Sequence, residues 1–186
     1  MSSPNIVSYR DLDAEKITIT KPEKDGDNFI FPCEFEGKED FYIKSPKMII
    51  KKMEKDADEI IMSLAFLDKG KSFYSFLREI EKKTVETIHK NSTDWLYLPS
   101  QPHIRKIRNR QISVLELPMN LNDSPLLNVC IPSGCHIFKG PKQMNEVNFQ
   151  MDNSLIILFH IEGIQFDTKS FGYYLSIKPL QIKIMT

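Results

Sequence analysis

The stretch IEGIQFDTKSFGYYLSIKPLQIKI, residues 161–184, contains two extended runs joined by a polar turn at 167–170. Strand alternation places two sets of side chains on opposite faces of the second run: Tyr173, Leu175 and Ile177 on one face, and Tyr174, Ser176 and Lys178 on the other. One of these faces must be core. We expect this segment to be the last hairpin of a β domain, closing it against the first strands.

The rest of the chain shows strand-like runs on both sides of one helical segment at 72–91. The runs before it lie at 16–21, 29–35, 40–44, 47–53 and 59–67, and those after it at 112–117, 126–131, 135–138, 155–161, 164–166 and 173–185. In the helical segment, side chains that fall on one face at steps of three and four are Phe73, Phe76, Leu77, Ile80, Thr84 and Ile88. Ser72 is the expected N-cap and Asn91 the expected stop.

The order of strands, one helix and strands predicts a mainly β domain over residues 16–186, preceded by an N-terminal arm at 1–15. We expect an OB-like barrel of five strands, with the helix inserted between the third and fourth strands and further hairpins at the rim. The alternative architecture is a two-sheet β-sandwich packed on the helix.

The charge balance limits the classes of function. The 186 residues have a formal net charge of zero, whereas most nucleic-acid-binding proteins are basic. A local patch is therefore required for that class, and residues 101–120 hold four basic side chains against one acidic side chain. Apolar runs are too short for a membrane helix and the first residues do not form a secretory signal, so we expect an intracellular protein without a membrane span.

Enzymatic and metal-binding patterns are missing from the sequence. It contains no nucleophile elbow, phosphate-binding loop or dinucleotide fingerprint, and its four histidines are scattered over different segments. Cys130, Cys135 and His136 lack the second ligand pair of a structural zinc site. We therefore expect neither an enzyme nor a cofactor, and the three cysteines fit a reducing compartment.

Three stretches resemble a known family. They are Tyr74 to Phe76 with Ile80-Glu81, leading to Asn91-Ser92 and Trp95; then Gly163 to Phe166; then Ser170-Phe171 followed by 178–184. Over residues 40–185 they resemble the predicted single-stranded DNA-binding proteins of large nucleocytoplasmic DNA viruses, which are related to the OB-fold protein of a short-tailed phage. Phage and bacterial members commonly end in an acidic tail that recruits replication partners, whereas this sequence ends in KIMT, 183–186.

The resemblance implies an OB barrel that coats exposed single strands in viral DNA replication or repair, without enzymatic chemistry. Its partners would be single-stranded DNA and viral replication proteins, with homo-oligomers as a further option. Its location would be the viral replication site in the host cytoplasm or nucleus. The alternative, favoured by neutral charge, is a minor capsid or internal structural protein that contacts other virion chains.

Single-strand binding requires cations that follow the phosphates and aromatic faces on which bases stack. The basic candidates are Arg105, Lys106, Arg108 and Arg110, then Lys44, Lys47, Lys51 and Lys52, with Lys169 and Lys178 in the hairpin. The aromatic candidates are Tyr42, Trp95, Tyr97, Phe166, Phe171, Tyr173 and Tyr174. Each has a structural alternative: a solvated basic turn or an acidic-partner contact for 105–110, sheet-edge protection for the lysines at 47–52, and packing for Trp95, Phe166 and Phe171.

Overall fold

A computed structural model describes residues 5–39, 41–56, 59–67, 70–117, 124–144, 149–169 and 172–185. These residues form fourteen strands, two α-helices and a 3-10 turn at Ala14–Lys16. The helices are α1 (Lys71–Trp95) and α2 (Ile104–Arg108). The strands are β1 (Asn5–Ser8), β2 (Ile17–Ile19), β3 (Glu23–Asp25), β4 (Asn28–Phe31), β5 (Cys33–Phe35), β6 (Phe41–Lys44), β7 (Met48–Asp56), β8 (Glu59–Phe66), β9 (Leu115–Glu116), β10 (Leu126–Ile131), β11 (His136–Lys139), β12 (Lys142–Met144), β13 (Ser154–Asp167) and β14 (Gly172–Met185).

Five strands form the centre of one mixed sheet, in the order β14, β13, β7, β8, β10. Every neighbouring pair along this path is antiparallel, so β10 and β14 run in the same direction. Their Cα atoms approach within 8 Å, although no ladder joins these two strands within the described ranges. The expected mainly β fold with one long helix is confirmed. Along this path α1 follows the second strand, β8, and not the third as expected.

The predicted closing hairpin is formed by β13 and β14, which pair along their whole length. The opposite edge of β13 pairs in succession with β7, β6 and β4. Tyr173 and Leu175 are buried, and Tyr174 and Lys178 lie on the outer face. Residues 170 and 171 of the predicted turn and motif lie outside the described ranges.

Helix α1 covers one side of this sheet with the predicted apolar face, which is buried throughout. The Phe73 ring lies 6.1 Å from Phe66 and 6.3 Å from Phe159. The helix begins one residue before Ser72, after Gly70, and continues past Asn91. Asn91 is accommodated inside the helix, since its side-chain amide donates to the Thr87 carbonyl oxygen at 2.9 Å. Ser72 as cap and Asn91 as stop are therefore corrected.

The expected N-terminal arm is also corrected for its described part. Strand β1 pairs in parallel with β6, with Val7 opposite Ile43. The 3-10 turn that follows is held against α1, since the Lys83 ammonium donates to the carbonyl oxygens of Ala14 and Glu15 at 3.0 and 3.2 Å. Residues 5–16 thus belong to the folded domain.

A bulge in β13 brings two strands unusually close. The register of β13 against β14 shifts between Ile161 and Gly163, and Gly163 adopts φ +136°. A Cβ atom at this position would lie within 3.0 Å of the carbonyl oxygen of Phe31. Only glycine fits such a backbone approach, and the bulge positions the end of β13, including Phe166, beside α2.

Candidate nucleic-acid interface

The basic segment 103–110 forms the short helix α2, which is anchored on one side and exposed on the other. His103 caps it, because its Nδ1 accepts the Arg105 amide at 3.2 Å. Ile107 is buried, and its carbonyl oxygen accepts the Tyr173 hydroxyl at 3.0 Å. Burial raises the pKa of Tyr173, so this hydroxyl keeps its proton and remains a donor at neutral pH.

The segment after α2 is tied to α1 through Glu81. Its carboxylate accepts the Ser113 hydroxyl at 2.7 Å and the Val114 amide at 3.0 Å. The Gln111 side-chain amide donates to the backbone carbonyl oxygen of Glu81 at 3.0 Å. Burial raises the pKa of the Glu81 carboxyl above its ordinary value. The Ile80-Glu81 pair of the family-like motif therefore packs one side chain in the core and uses the other to hold this loop.

Three side chains on α2 are exposed cations: Arg105, Lys106 and Arg108. None of the three forms a salt bridge with a carboxylate in the described part of the chain. A cation without a carboxylate partner loses no ion pair when it binds a phosphate. We refer to these three residues as the α2 cations.

A cleft of about 250 Å³ opens beside α2, and we refer to it as the α2 cleft. Its walls come from the C-terminal half of α1, the segment 96–102, and the strands β4, β13 and β14. Most of the lining is apolar, and Lys106 and Arg110 are its two charged residues. The cleft is thus an apolar recess with cations on one side.

An aromatic row leads across the sheet into this cleft. Phe29 of β4 lies directly opposite Phe166 of β13, which lies opposite Tyr173 of β14. Directly opposed residues of antiparallel strands share a face, so the three rings line up side by side. Their exposure falls along the row, from 40% for Phe29 to 2% for Tyr173. Lys24 of β3 stands opposite Phe29 and extends the row with a charge.

Tyr97 is the most exposed large hydrophobic side chain of the described residues, at 81%. Its backbone has φ +51°, a left-handed conformation that costs a bulky residue energy. Its neighbours Leu96 and Leu98 both line the α2 cleft, and the Lys21 ammonium lies 6.0 Å from the Tyr97 ring centroid. The strained backbone thus holds an aromatic ring in solvent at the margin of the cleft.

Trp95 has a different environment from Tyr97. It is half-buried at the end of α1, and its ring centroid lies 5.8 Å from that of Phe31, which lines the cleft. This arrangement is the packing alternative stated for Trp95. Trp95, Tyr97, Phe166, Tyr173 and the basic segment are nevertheless brought together around one cleft.

Other predicted side chains lie elsewhere. Lys51 pairs with Asp152 at 2.6 Å and Lys52 with Glu116 at 2.7 Å, while Lys44, Lys47 and Lys169 are exposed. On the outer face of β14, Tyr174 donates to Gln165, and Lys178 lies 3.6 Å from Glu162, in a groove beside β10. Tyr42 stacks on His160 at 5.0 Å, and Phe171 lies outside the described residues. None of the described residues of this set lines the α2 cleft.

Sequence reasoning missed Lys21, Lys24 and Phe29. The one available signal was alternation in the run FIF, 29–31, which places Phe29 on the same side as the buried Phe31. The strand pairings that turn Phe29 into part of a row join residues more than a hundred positions apart, and no local pattern reports them.

The described residues contain no group of three or more His, Cys, Asp or Glu side chains that could hold a metal ion. Burial raises the pKa of the Cys33 thiol to about 12 and that of Cys135 to about 11, so both stay protonated at neutral pH. Cys130 is exposed, and its thiol lies 3.0 Å from a Glu59 carboxylate oxygen. In the portion of the chain described here, no helix is both long and apolar enough to cross a membrane.

Comparison with known proteins gives similarity to solved structures and none by sequence. No protein-family model matches the chain, and no curated protein matches it by sequence. The crystal structure of gp2.5, a single-stranded DNA binding protein encoded by bacteriophage T7, superimposes with a TM-score of 0.56 at 6% identity. The alignment covers 77% of this chain and 91% of that chain. At this identity the likeness concerns the fold alone.

Proposed function

We propose that this chain is an OB-like, non-enzymatic single-stranded DNA-binding protein acting in DNA replication or repair, and that it is of viral origin. The observation that carries the proposal is the juxtaposition of the α2 cations with the aromatic row and Tyr97. Such a surface offers both components that sequence-independent single-strand binding requires. The shared fold with the phage protein adds independent support.

The OB-like assignment is supported by the strand path. Within the described residues, the first and last strands of this five-stranded path approach within 8 Å without a ladder, as expected for a partly open barrel. Strands β11 and β12, β9, β1 and β3 add to its rim. A two-sheet sandwich would instead divide the strands between two comparable sheets, whereas here twelve strands share one sheet and two form a second.

The mechanism follows from the charges and exposed rings. The α2 cations neutralise consecutive phosphates and release their counterions, which makes binding dependent on salt. Bases on the same strand stack on Tyr97 and Phe29, each contributing about 1 to 3 kcal/mol. A duplex keeps its bases stacked internally and gains only the phosphate contacts. The remaining candidates, Lys44, Lys51, Lys52, Tyr174 and Lys178, would serve as secondary contacts along a longer strand.

The proposed partners are single-stranded DNA and, within a replication complex, other replication proteins or further copies of the chain. The proposed location is the site of DNA replication inside an infected cell. The alternative of a capsid or internal virion component draws no support from the fold comparison.

The test is fluorescence anisotropy of labelled oligo(dT) of about 30 nucleotides, long enough for several single-strand contacts, alongside the matching duplex. Wild-type protein is compared with a triple alanine variant of Arg105, Lys106 and Arg108. The matched control replaces Lys139, Lys142 and Lys183, three exposed lysines on β11, β12 and β14.

The salt dependence gives the expected size of the effect. Each single-strand phosphate contact contributes a slope of about −0.7, so losing three contacts reduces the slope by about 2. Between about 50 and 200 mM salt, wild-type affinity should therefore fall about 20-fold more than that of the α2 variant. The control variant should retain the wild-type slope. Wild-type protein that does not distinguish the single strand from the duplex would overturn the proposed function.

A further inference from the structure

We propose that the α2 cleft binds one nucleobase turned out of the single strand, and that this insertion provides the preference for single-stranded over duplex DNA. The inference rests on the proposed function and adds a specific site to it. Stacking on Tyr97 and Phe29 is a surface interaction, whereas the cleft would enclose a base.

The lining of the cleft suits a flat apolar group. Phe31, Ile88 and Tyr173 are each exposed by 2% or less and form its floor. Phe166 and Leu98 are partly exposed, so they stand between this floor and solvent. A base entering here would contact aromatic and aliphatic surfaces on both of its faces.

The size of the cleft limits its occupant. Pockets for drug-sized molecules commonly measure about 300 to 1,000 Å³. The α2 cleft, at about 250 Å³, lies below this range, which favours a compact occupant such as one base.

The charges favour a nucleotide over other apolar groups. Lys106 and Arg110, the two charged residues of the lining, are both cations. A base attached to its backbone brings a phosphate on each side, which gives charge complementarity with these residues. An apolar side chain of a protein partner would bring no such charge.

The cleft should accept any base. The Tyr173 hydroxyl is already donated to the Ile107 carbonyl oxygen, and the rest of the uncharged lining is apolar. Few groups therefore remain to read hydrogen-bonding edges, and affinity should depend weakly on base identity. A duplex would have to unpair and extrude a base before it could use the cleft.

The experiment fills the cleft without removing a cation. Leu98 is 37% exposed, so Leu98→Trp can place an indole in the recess from its solvent side. The matched control is Met151→Trp, an equal gain of bulk at a 52% exposed position beside β13. Urea unfolding of each variant checks the fold, and Leu98→Phe serves as a smaller plug if Leu98→Trp does not fold.

We expect the plug to lower the affinity for oligo(dT) about tenfold, the equivalent of 1.4 kcal/mol, with duplex affinity and salt slope unchanged. Abasic oligonucleotides provide a second readout: removing bases should weaken wild-type binding more than it weakens binding by the plugged variant. Met151→Trp should match wild type in both assays.

Two results would contradict the inference, and they differ from each other. If wild-type protein binds single strands while plugged variants keep its affinity and its response to abasic sites, the cleft holds no base, yet the proposed function stands. If wild-type protein shows no preference for single strands, both the proposed function and this inference fail.

Discussion

Replacing Gly163 with alanine tests whether the bulge in β13 depends on a residue without a side chain. The new methyl group would lie within 3.0 Å of the Phe31 carbonyl oxygen and 3.2 Å from the Ile30 side chain. Because the first neighbour is backbone, a side-chain rotation cannot relieve the overlap. The backbone at φ +136° is also a conformation that alanine rarely adopts.

The expected loss combines these two contributions. An unfavourable backbone conformation costs about 1 to 3 kcal/mol and overpacking about 1 to 3 kcal/mol, so we expect Gly163→Ala to lower the free energy of unfolding by about 4 kcal/mol. Urea unfolding followed by fluorescence measures it, since the single tryptophan, Trp95, packs on Phe31 itself.

Gly140→Ala is the matched control. Gly140 also has a positive φ, +60°, but a Cβ there would meet nothing within 4 Å. This substitution should cost only the left-handed conformation, about 1 kcal/mol. Equal losses at the two positions would refute the reasoning, because they would show that the approach of β13 to Phe31 imposes no steric demand.

Three further predictions concern the site and its supports. Tyr97→Gly should raise the free energy of unfolding by up to about 1 kcal/mol, because glycine tolerates the positive φ. The same change removes the stacking ring and should lower single-strand affinity about tenfold. Urea unfolding and anisotropy on the same samples separate the two effects. Tyr173→Phe removes the hydroxyl bonded to the Ile107 carbonyl oxygen and should cost about 1 to 3 kcal/mol in urea unfolding; a cost below measurement would show that this bond does not anchor α2. The folded state raises the pKa of Glu81 and so favours its protonated form. Relative to Glu81→Gln, the free energy of unfolding of wild type should therefore be highest below the ordinary glutamate pKa and fall as pH rises through the folded pKa. A difference between the two proteins that does not change with pH would contradict this sign.

Much of the fold was predictable from local patterns. The buried face of α1 follows a period of three and four residues, and the placement of Tyr173 and Tyr174 on opposite faces of β14 follows strand alternation. Features set by distant partners were not predictable in the same way. Strand β1 exists because Asn5–Ser8 pairs with Phe41–Lys44, and nothing in the short run NIVS indicates that partner.

The candidate site likewise has some features that follow from local sequence and others that depend on distant partners. The basic segment is contiguous in sequence, so Arg105, Lys106 and Arg108 could be identified before the structure was known. The ion pairs of Lys51 and Lys52 could not, since their acidic partners lie 101 and 64 residues away. The aromatic row likewise depends on the registers of three strands, which the sequence specifies only through the packing of the whole domain.

The successive pairing of β13 with β7, β6 and β4 has a consequence for how the chain acquires its structure during synthesis. Strands β4 and β6 leave the ribosome more than a hundred residues before β13, which pairs with one edge of each. Until residues 154–167 emerge, the edges of β4 and β6 that pair with β13 stay unpaired, and α1 lacks its contact with Phe159. Such long-range pairings slow folding and expose unpaired edges to aggregation. We therefore expect the nascent chain to remain incompletely folded until late in translation, when β13 pairs with β7, β6 and β4.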